Sequence, residues 1–446
     1  MGKLMTNDII EATGGRRISG GAEGFSGISI DSRTIATGEL FVAIKGERFD
    51  GHDFIPPALK KGEGALLSIQ PAEPLKGKTL ICVDDTLKAL QDIARFLRRK
   101  KGIPVIGITG TNGKTTTKEM ISAILSAKHT VLKNTGNLNN QIGLPLSLVR
   151  LNSTHDMAVL EMGASRPGDI KELCGIAGPD YGVLTNIGYA HLEGFGSIET
   201  LRRTKLEMLD FVKTVAVNAD DLFLLDGMGR YGGRVIRYAI NNIAGSDIYA
   251  ADIVQAEEGS AFTLHAPGGR VRVNLKVGGM FNIYNALAAG SISHALGAGL
   301  DEIRNGLEAF TGVPMRFEIK STDGATVLSD VYNANPASME EAVKEMLRLR
   351  GKRAVAVLGD MLELGSYAEE AHRKLGAWMS GLPVDLFIAV GPLMALAADE
   401  FSGEKIKAAN SIEARRIVLR EHKEGDTILV KGSRAMRMEE ALKDAL

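Results

Sequence analysis

Residues 105–119 read VIGITGTNGKTTTKE. An apolar run breaks into a glycine-rich turn, and Gly113-Lys114-Thr115-Thr116 opens a helical pattern. A strand that delivers such a turn to a helix sets backbone N–H groups toward an anion, and glycine lets the chain approach it without a Cβ clash. Lys114 supplies a point charge, and Thr115 stands where a hydroxyl can ligate the Mg2+ of a bound nucleotide. The common nucleotide loop, GxxxxGK[ST], would need glycine at 108. Ile108 is there instead, with glycines at 107 and 110. The stretch is therefore a variant phosphate cradle, which implies nucleotide binding and leaves the reaction open.

Downstream, strands and helices alternate at parallel-sheet spacing. TVLK at 130–133, MAVLEMG at 157–163, YGVLTNIG at 181–188 and TVAVNAD at 214–220 read as strands, with helices near 140, near 170 and from Ile198 to Val212. Nearly continuous apolar strands imply a sheet covered on both faces. Segments near 247–277 alternate as antiparallel strands do, and residues 281–296 return to a small-residue helix. From Val313-Pro314 the pattern repeats with VLSDVY, a helix from Pro336, RAVAVLGD, a helix from Tyr367 to Met379, DLFIAVG and TILVKG. That is a second doubly wound sheet. Upstream, ISI at 28–30, LFVAI at 40–44, ALLS at 65–68 and TLICV at 79–83 form a small α/β unit, closed by a basic helix from Leu87 to Lys101.

The expected architecture is α/β in three domains: a small unit over 1–102, a central parallel-sheet unit with the phosphate loop over 103–313, and a Rossmann-like doubly wound unit over 314–446. A chain of 446 residues agrees with that count at about 150 residues per domain. The composition, 44% hydrophobic and 24% charged, is globular, and a net charge of -1 gives no electrostatic reason to expect nucleic acid or an anionic membrane. Cys82 and Cys174 lie far apart without CxxC spacing, which fits a reducing cytoplasm. No signal-peptide core and no apolar run long enough to span a bilayer is present, so the expectation is a soluble cytoplasmic protein.

Several polar groups fall at strand ends, where ligands of parallel sheets sit. Glu161 ends MAVLEMG, on the same edge as the phosphate loop, and can share the Mg2+ of Thr115. His191 follows another strand end; one histidine there is as compatible with packing as with ligation. Lys205 and Glu207 lie on the next helix and read, on spacing alone, as solvated residues. In the first unit Ser29, Asp31, Ser32 and Arg33, followed by Lys45, could grip a diphosphate or form only a turn with a surface arginine. Asn137, Asn139 and Asn140 belong to an amide-rich turn beside the phosphate loop, suited to a polar substrate. Asp330, Tyr332 and Asn333 form a similar polar edge in the last unit, before Asn335, a candidate helix cap.

Together, ITGTNGKTTTKE, NTGNLNNQIGLPL, LEMGAS, TNIGYAHLEGFGS, VNADD, DVYNANPASM, GDMLELG and VKGSRAMRMEE resemble the Mur ligase family, the ATP-dependent amide-forming enzymes of peptidoglycan precursor synthesis. DSR followed by LFVAIKGERFDGHDF is similar to the UDP-sugar domain of the branch that adds D-alanyl-D-alanine to UDP-N-acetylmuramoyl-tripeptide. The resemblance implies that Gly110, Thr111, Asn112, Gly113, Lys114, Thr115 and Thr116 hold ATP, with Asn282 and Asn285 on the adenine side and Arg316 and Asp330 reaching its phosphates and ribose. It implies two Mg2+ ions, held by Thr115, Glu161, His191 and Lys205, with Lys205 N-carboxylated in its KxE context. Ser29, Asp31, Ser32, Arg33, Lys45, Asn137, Asn139, Asn140, Tyr332 and Asn333 become substrate contacts. Phe281 departs from the histidine usual in the family; stacking could survive there, and a polar contact could not.

The implied reaction forms an acyl phosphate and transfers the acyl group to an amine, so no enzyme nucleophile is needed. That agrees with the lack of a convincing Ser-His-Asp or Cys-His arrangement in the sequence. A monomer suffices for an internally complete site. Two rivals remain: a sibling that adds a single amino acid, against which YNANP and KGSRAM argue, and a nucleotide-driven switch or transport ATPase, against which the UDP-sugar motifs argue.

Overall fold

Three β-sheets of a computed structural model, built from successive stretches of chain, position every candidate residue; the structure describes residues 4–70, 77–257, 259–322 and 324–443. The outermost residues of the first and last expected units, 1–3 and 444–446, lie outside the described residues. The first sheet orders its strands Arg16–Ser19, Thr79–Cys82, Gly64–Leu67, Leu40–Val42 and Ile28–Ser29, all parallel except the first pair. Its strands read LFV, GALL and TLIC, and leucine, valine and isoleucine there are buried on both faces of the sheet.

The helix Thr86–Lys101 follows. Asp85 caps its start by accepting from the Lys88 amide at 2.9 Å, and Gly102, left-handed at φ 66°, ends it. Its basic residues are not a nucleic-acid face. Arg95 donates to Gly175 O at 3.0 Å, while Arg98 donates to Ala177 O, Gly178 O and the Asp180 carboxylate at 3.1, 3.0 and 2.9 Å. The carbonyls at the end of the helix Asp169–Ala177 lack helical donors, and two guanidinium groups supply them. Gln91 adds bonds to Gln141 O and Glu172 at 3.2 and 2.9 Å.

The central sheet has nine strands, ordered Gly269–Leu275, Gly259–Ala266, Ile248–Ala256, Arg234–Ala239, Thr214–Asn218, Tyr181–Leu184, Val105–Thr109, Met157–Glu161 and Val131–Lys133. The meander 248–275 is antiparallel, as its alternation implies, and joins the rest through a parallel pairing of Tyr238 with Ile248. Val105–Thr109 is interior, flanked in parallel by Met157–Glu161 and Tyr181–Leu184, so three strand ends converge where the glycine-rich turn emerges. The helix expected from Ile198 to Val212 ends at Leu206 and tightens into a 3-10 turn over Glu207–Asp210. There Met208 enters the core, its sulfur and methyl facing Gly182 and Gly107, where a Cβ would stand 3.0 and 3.1 Å away. The helix read near 140 starts at Gly143, and in the turn before it the Asn140 side chain accepts from the Ile142 and Gly143 amides at 3.2 and 2.9 Å.

The last sheet orders Glu318–Thr322, Ala325–Asp330, Asp426–Lys431, Arg353–Gly359, Leu386–Val390 and Lys405–Ala408, parallel except at its first pair. Asn335 is the cap of the helix Pro336–Arg348, accepting from Ser338 N at 3.0 Å, with proline at the first helical position. No helix among the described residues is long and apolar enough to cross a membrane.

Beneath this sheet His372 is fully buried, accepting from Met361 N at 2.9 Å and donating Nδ1 to Ala368 O at 2.6 Å. Burial holds its pKa below the ordinary imidazole value, although the Ala368 carbonyl and the facing Asp360 carboxylate pull the other way. The fold thus binds this proton less readily than the unfolded chain does. The stabilisation is complete above about pH 6.5 and is lost as pH falls below it toward the folded value. Glutamine can accept from Met361 N without titrating, so Tm should fall less between pH 7 and 5 in His372→Gln than in the wild type. His372→Leu should lose about 1–3 kcal/mol at neutral pH by leaving that amide unpaired. Parallel thermal melts check both, and equal pH slopes for wild type and His372→Gln would refute the assignment.

Candidate active site

The turn after Val105–Thr109 is held open by conformation and by its neighbours. Gly110 has φ 140°, and a Cβ there would meet Thr185 Oγ1 at 2.0 Å; Gly113 has φ 81°, and its Cβ would meet Asn285 Oδ1 at 2.2 Å. Both positions need glycine. Asn186 accepts from Asn112 N at 2.9 Å and Thr185 donates to Asn112 O at 2.6 Å, so the loop is braced from the adjacent strand end. The helix Lys114–Leu125 begins immediately after, with its first amides free of side-chain caps.

Lys114 folds back along the turn, donating to Gly110 O at 2.9 Å and Thr111 O at 2.7 Å. Burial pushes its pKa down to about 8, against the pull of the Glu161 carboxylate. Thr115 donates to Glu161 Oε2 at 2.7 Å, and Asn139 donates to Glu161 Oε1 at 2.8 Å. Glu161, 3% exposed, is fixed further by Asn134, whose side chain bonds its amide and its carbonyl at 3.0 and 2.9 Å. A hydroxyl and a carboxylate oxygen side by side at a phosphate-binding turn are the hard donors that Mg2+ takes beside phosphates, with water completing the octahedron. These residues fit that ion. No group of three or more His, Cys, Asp or Glu placed to hold a metal occurs among the described residues.

Lys205 is 2% exposed, with Nζ 5.9 Å from the centroid of the Phe195 ring and no hydrogen bond or ion pair among the described residues. Burial, then the charge of Lys114, pushes its pKa down to about 7. As an ammonium it is no metal ligand; a carboxylated amine would be. Glu207, two residues on, is committed elsewhere, accepting from Gly168 N and Lys171 N at 3.0 and 2.9 Å at the start of the helix Asp169–Ala177. His191 lines the cleft cavity, which Lys205 does not, and its Nδ1 lies 2.6 Å from Glu363 Oε2 on the opposite side.

That cavity, roughly 960 Å³, brings Thr111, Asn112, Gly113, Lys114 and Thr116 together with Asn137, Asn139, Asn140, Glu161 and His191 on one wall. Asn282, Asn285, Arg316, Asp330, Tyr332 and Asn333 line the rest. Asn285 accepts from Thr117 Oγ1 at 3.3 Å and lies against Gly113, so it braces the loop from behind, while Asn282 donates to Gly278 O at 2.7 Å at the start of its own helix and accepts from Asn285 at 3.3 Å. Phe281 packs edge-on against Phe317 at 5.1 Å. Arg316 lies with Cζ 3.8 Å from the Tyr332 ring centroid and reaches Thr115 Oγ1 at 3.5 Å. Asp330 is paired with the buried Lys431, which also donates to Asn333 O at 2.9 Å.

The first-unit candidates sit apart. Ser29 and Asp31 line a second cavity of about 370 Å³, shared with Leu146, Val149 and Arg150 of the central unit; Ser32, Arg33 and Lys45 do not line it. Arg33 donates Nε and Nη2 to Asp31 at 2.9 and 2.7 Å, and that guanidinium holds Asp31 down to about 2. Among the lining residues that sequence reading missed are Lys431 and Glu363, and Asn335 has a second role there. Asn335 exchanges amide hydrogen bonds with Asn112 at 2.7 and 3.3 Å across the cleft while capping its own helix. Glu363 and Lys431 lie inside GDMLELG and VKGSRAM, so the motifs held the signal without distinguishing the residue.

Comparison with known proteins gives the same picture along the whole chain. Residues 24–98 match the Mur ligase family catalytic domain, 108–292 the Mur ligase middle domain, and 315–434 the Mur ligase glutamate ligase domain. A UDP-N-acetylmuramoyl-tripeptide--D-alanyl-D-alanine ligase of Escherichia coli K12 is 38% identical over 93% of this chain and 92% of its own. One from Bacillus subtilis 168 is 37% identical over 94% and 93%. Among solved structures, MurF from Acinetobacter baumannii superposes with a TM-score of 0.92 at 30% identity, covering 100% of this chain and 99% of that one. The MurF ligase of Thermotoga maritima in complex with ADP superposes at 0.84 with 32% identity, covering 94% and 96%.

Proposed function

The chain belongs to the Mur ligase family, and we propose that it joins D-alanyl-D-alanine to UDP-N-acetylmuramoyl-tripeptide at the expense of ATP. The observation that carries this reading is a single cleft in which the Lys114 turn and Glu161 face Arg316, Tyr332 and Asn333 of the last sheet. One wall suits a nucleotide and an activated carboxylate, and the other closes over an acceptor.

In the first step the Lys114 loop holds the ATP phosphates while a terminal carboxylate oxygen of the tripeptide attacks the γ-phosphorus, forming an acyl phosphate and releasing ADP. Lys114 and Arg316 offset the repulsion between the two anions. Mg2+, held by Thr115 and Glu161, would neutralise charge on the phosphates as they transfer. In the second step the dipeptide amine attacks the acyl carbon, the tetrahedral adduct loses phosphate, and the nitrogen gives up a proton as the amide forms. Asn112 and Asn335, bonded to each other, bring the two walls together and help exclude water that would hydrolyse the acyl phosphate.

Lys205 is the residue proposed to carry a carboxyl group. A buried amine without an ion-pair partner among the described residues, its pKa near neutrality, has a free electron pair available to add CO2, forming a carbamate and releasing a proton. The carbamate would offer anionic oxygens to a second Mg2+, with His191 as a nitrogen donor. Ser29, Asp31, Ser32, Arg33 and Lys45 are proposed for the UDP moiety, and Asn137, Asn139 and Asn140 for the peptide. In that role Arg33 must exchange Asp31 for a diphosphate oxygen. We take 1–102, 103–313 and 314–446 as the working units of a cytoplasmic monomer, since one chain supplies the whole cleft.

Phosphate release tests the reaction. Turnover of ATP should require both the UDP-tripeptide and D-alanyl-D-alanine. Robust turnover with either omitted would sink the ligase reading, and equal turnover with a single amino acid in place of the dipeptide would move the chain to a sibling activity.

A further inference from the structure

Two segments that meet across the cleft do so through residues in unusual backbone conformations. His191 has φ 52° and Glu363 φ 64°, the left-handed region in which side chains other than those of glycine are uncommon. Glu363 Oε2 lies 2.6 Å from His191 Nδ1, and the Glu363 carbonyl accepts from Glu193 N at 3.2 Å. Beside them the rings of Tyr189 and Tyr367 lie 4.8 Å apart at 30°, and a Cβ added to Gly365 would come within 3.1 Å of Glu193 Cα. Strain held at both ends of one contact, next to a catalytic cleft, calls for a functional explanation.

Stability does not supply it. The two side chains are 35% and 56% exposed, and an exposed ion pair contributes little to folding. Orientation does. A carboxylate only accepts hydrogen bonds, so Nδ1 must carry the proton here, and in the neutral ring the lone pair is then on Nε2. Nε2 has no partner among the described residues, and His191 lines the cavity. Histidines that bind metals usually give their other N–H to a carboxylate, which fixes the tautomer and raises the basicity of the ligating nitrogen.

We propose that Glu363 is a positioning residue: closure of the last unit delivers its carboxylate to Nδ1 of His191 and so prepares Nε2 for a divalent cation at the phosphate end of the cleft. The inference rests on the reading of His191 as a metal ligand and adds that the ligand is completed from the opposite wall. The metal site is thereby competent only when the acceptor wall is in place.

Binding of Mn2+ in the presence of ADP, followed by electron paramagnetic resonance on the full chain, separates the possibilities. Glu363→Ala should weaken Mn2+ binding about 10-fold or more. Glu363→Gln, which keeps an acceptor, should recover much of that loss, and Glu363→Ala should add nothing in a His191→Ala background. Nitrogen NMR of the imidazole should show the proton on Nδ1 in the wild type and a mixed tautomer in Glu363→Ala, with unchanged thermal melts showing that each variant is folded. If His191→Ala weakens Mn2+ binding and Glu363→Ala does not, or if their effects add, the positioning role is overturned and the metal assignment stands. If neither variant changes binding, both are overturned.

Discussion

Lys205→Ala should lower turnover of the ligase reaction by about 10²–10³-fold, the loss typical when a preorganised charge at the reacting centre is removed. The side chain sits in the core, 2% exposed, without an ion-pair partner among the described residues, and its amine is held near neutrality. A lysine kept only for packing would be more cheaply replaced by a leucine or methionine. Added CO2 should not restore the variant, since alanine has no amine to carboxylate. With ¹³C-labelled bicarbonate the wild type should show a carbamate carbon that Lys205→Ala lacks. Near-normal turnover in the variant would refute the role, and a carbamate signal that survives the substitution would place the modification elsewhere.

Glu161→Gln should reduce turnover by a similar ~10²-fold or more and raise the Mg2+ concentration needed for half-maximal rate. The amide keeps the shape of the carboxylate and can still accept from either Thr115 or Asn139, so the substitution removes charge with little change in packing. The fold should tolerate it, because a carboxylate at 3% exposure is costly to bury and the neutral amide avoids that desolvation. Steady-state rates across a Mg2+ series, together with a thermal melt, test the prediction. An unchanged Mg2+ profile would return Glu161 to a merely structural hydrogen-bonding role.

What the sequence reveals about this site depends on how local each signal is. VIGITGTNGKTTTKE is legible because strand, glycine turn and helix start are contiguous. Glu161 is legible because a carboxylate ending an apolar strand has few harmless explanations. Lys205 is not: along the chain it is a helix lysine among arginines and a glutamate, and only the fold shows that it points inward. The Glu363–His191 and Asn335–Asn112 contacts are invisible for another reason, since each joins residues far apart in sequence that meet only when the last sheet docks. The strand Arg234–Ala239 escaped because arginines and a tyrosine interrupt its apolar residues. Resemblance to the family supplied roles where spacing could not, as for Asn282 and Asn285. The structure added that Asn285 also supports the phosphate loop, with Asn282 bonded behind it.

The guanidinium contacts of Arg95 and Arg98 have a mechanical meaning. They fasten the first unit to the end of a central helix through four acceptors, with Gln91 adding two more, whereas the last unit meets the central one through the Asn335–Asn112 and Glu363–His191 side chains, one backbone bond from Glu193 N to Glu363 O, and aromatic pairs. If the cleft opens and closes, the expected division is therefore into two bodies, an anvil made of the first two sheets and a hammer made of the third. The donor side would then keep its shape through each cycle, and only the acceptor's half of the cleft would have to travel.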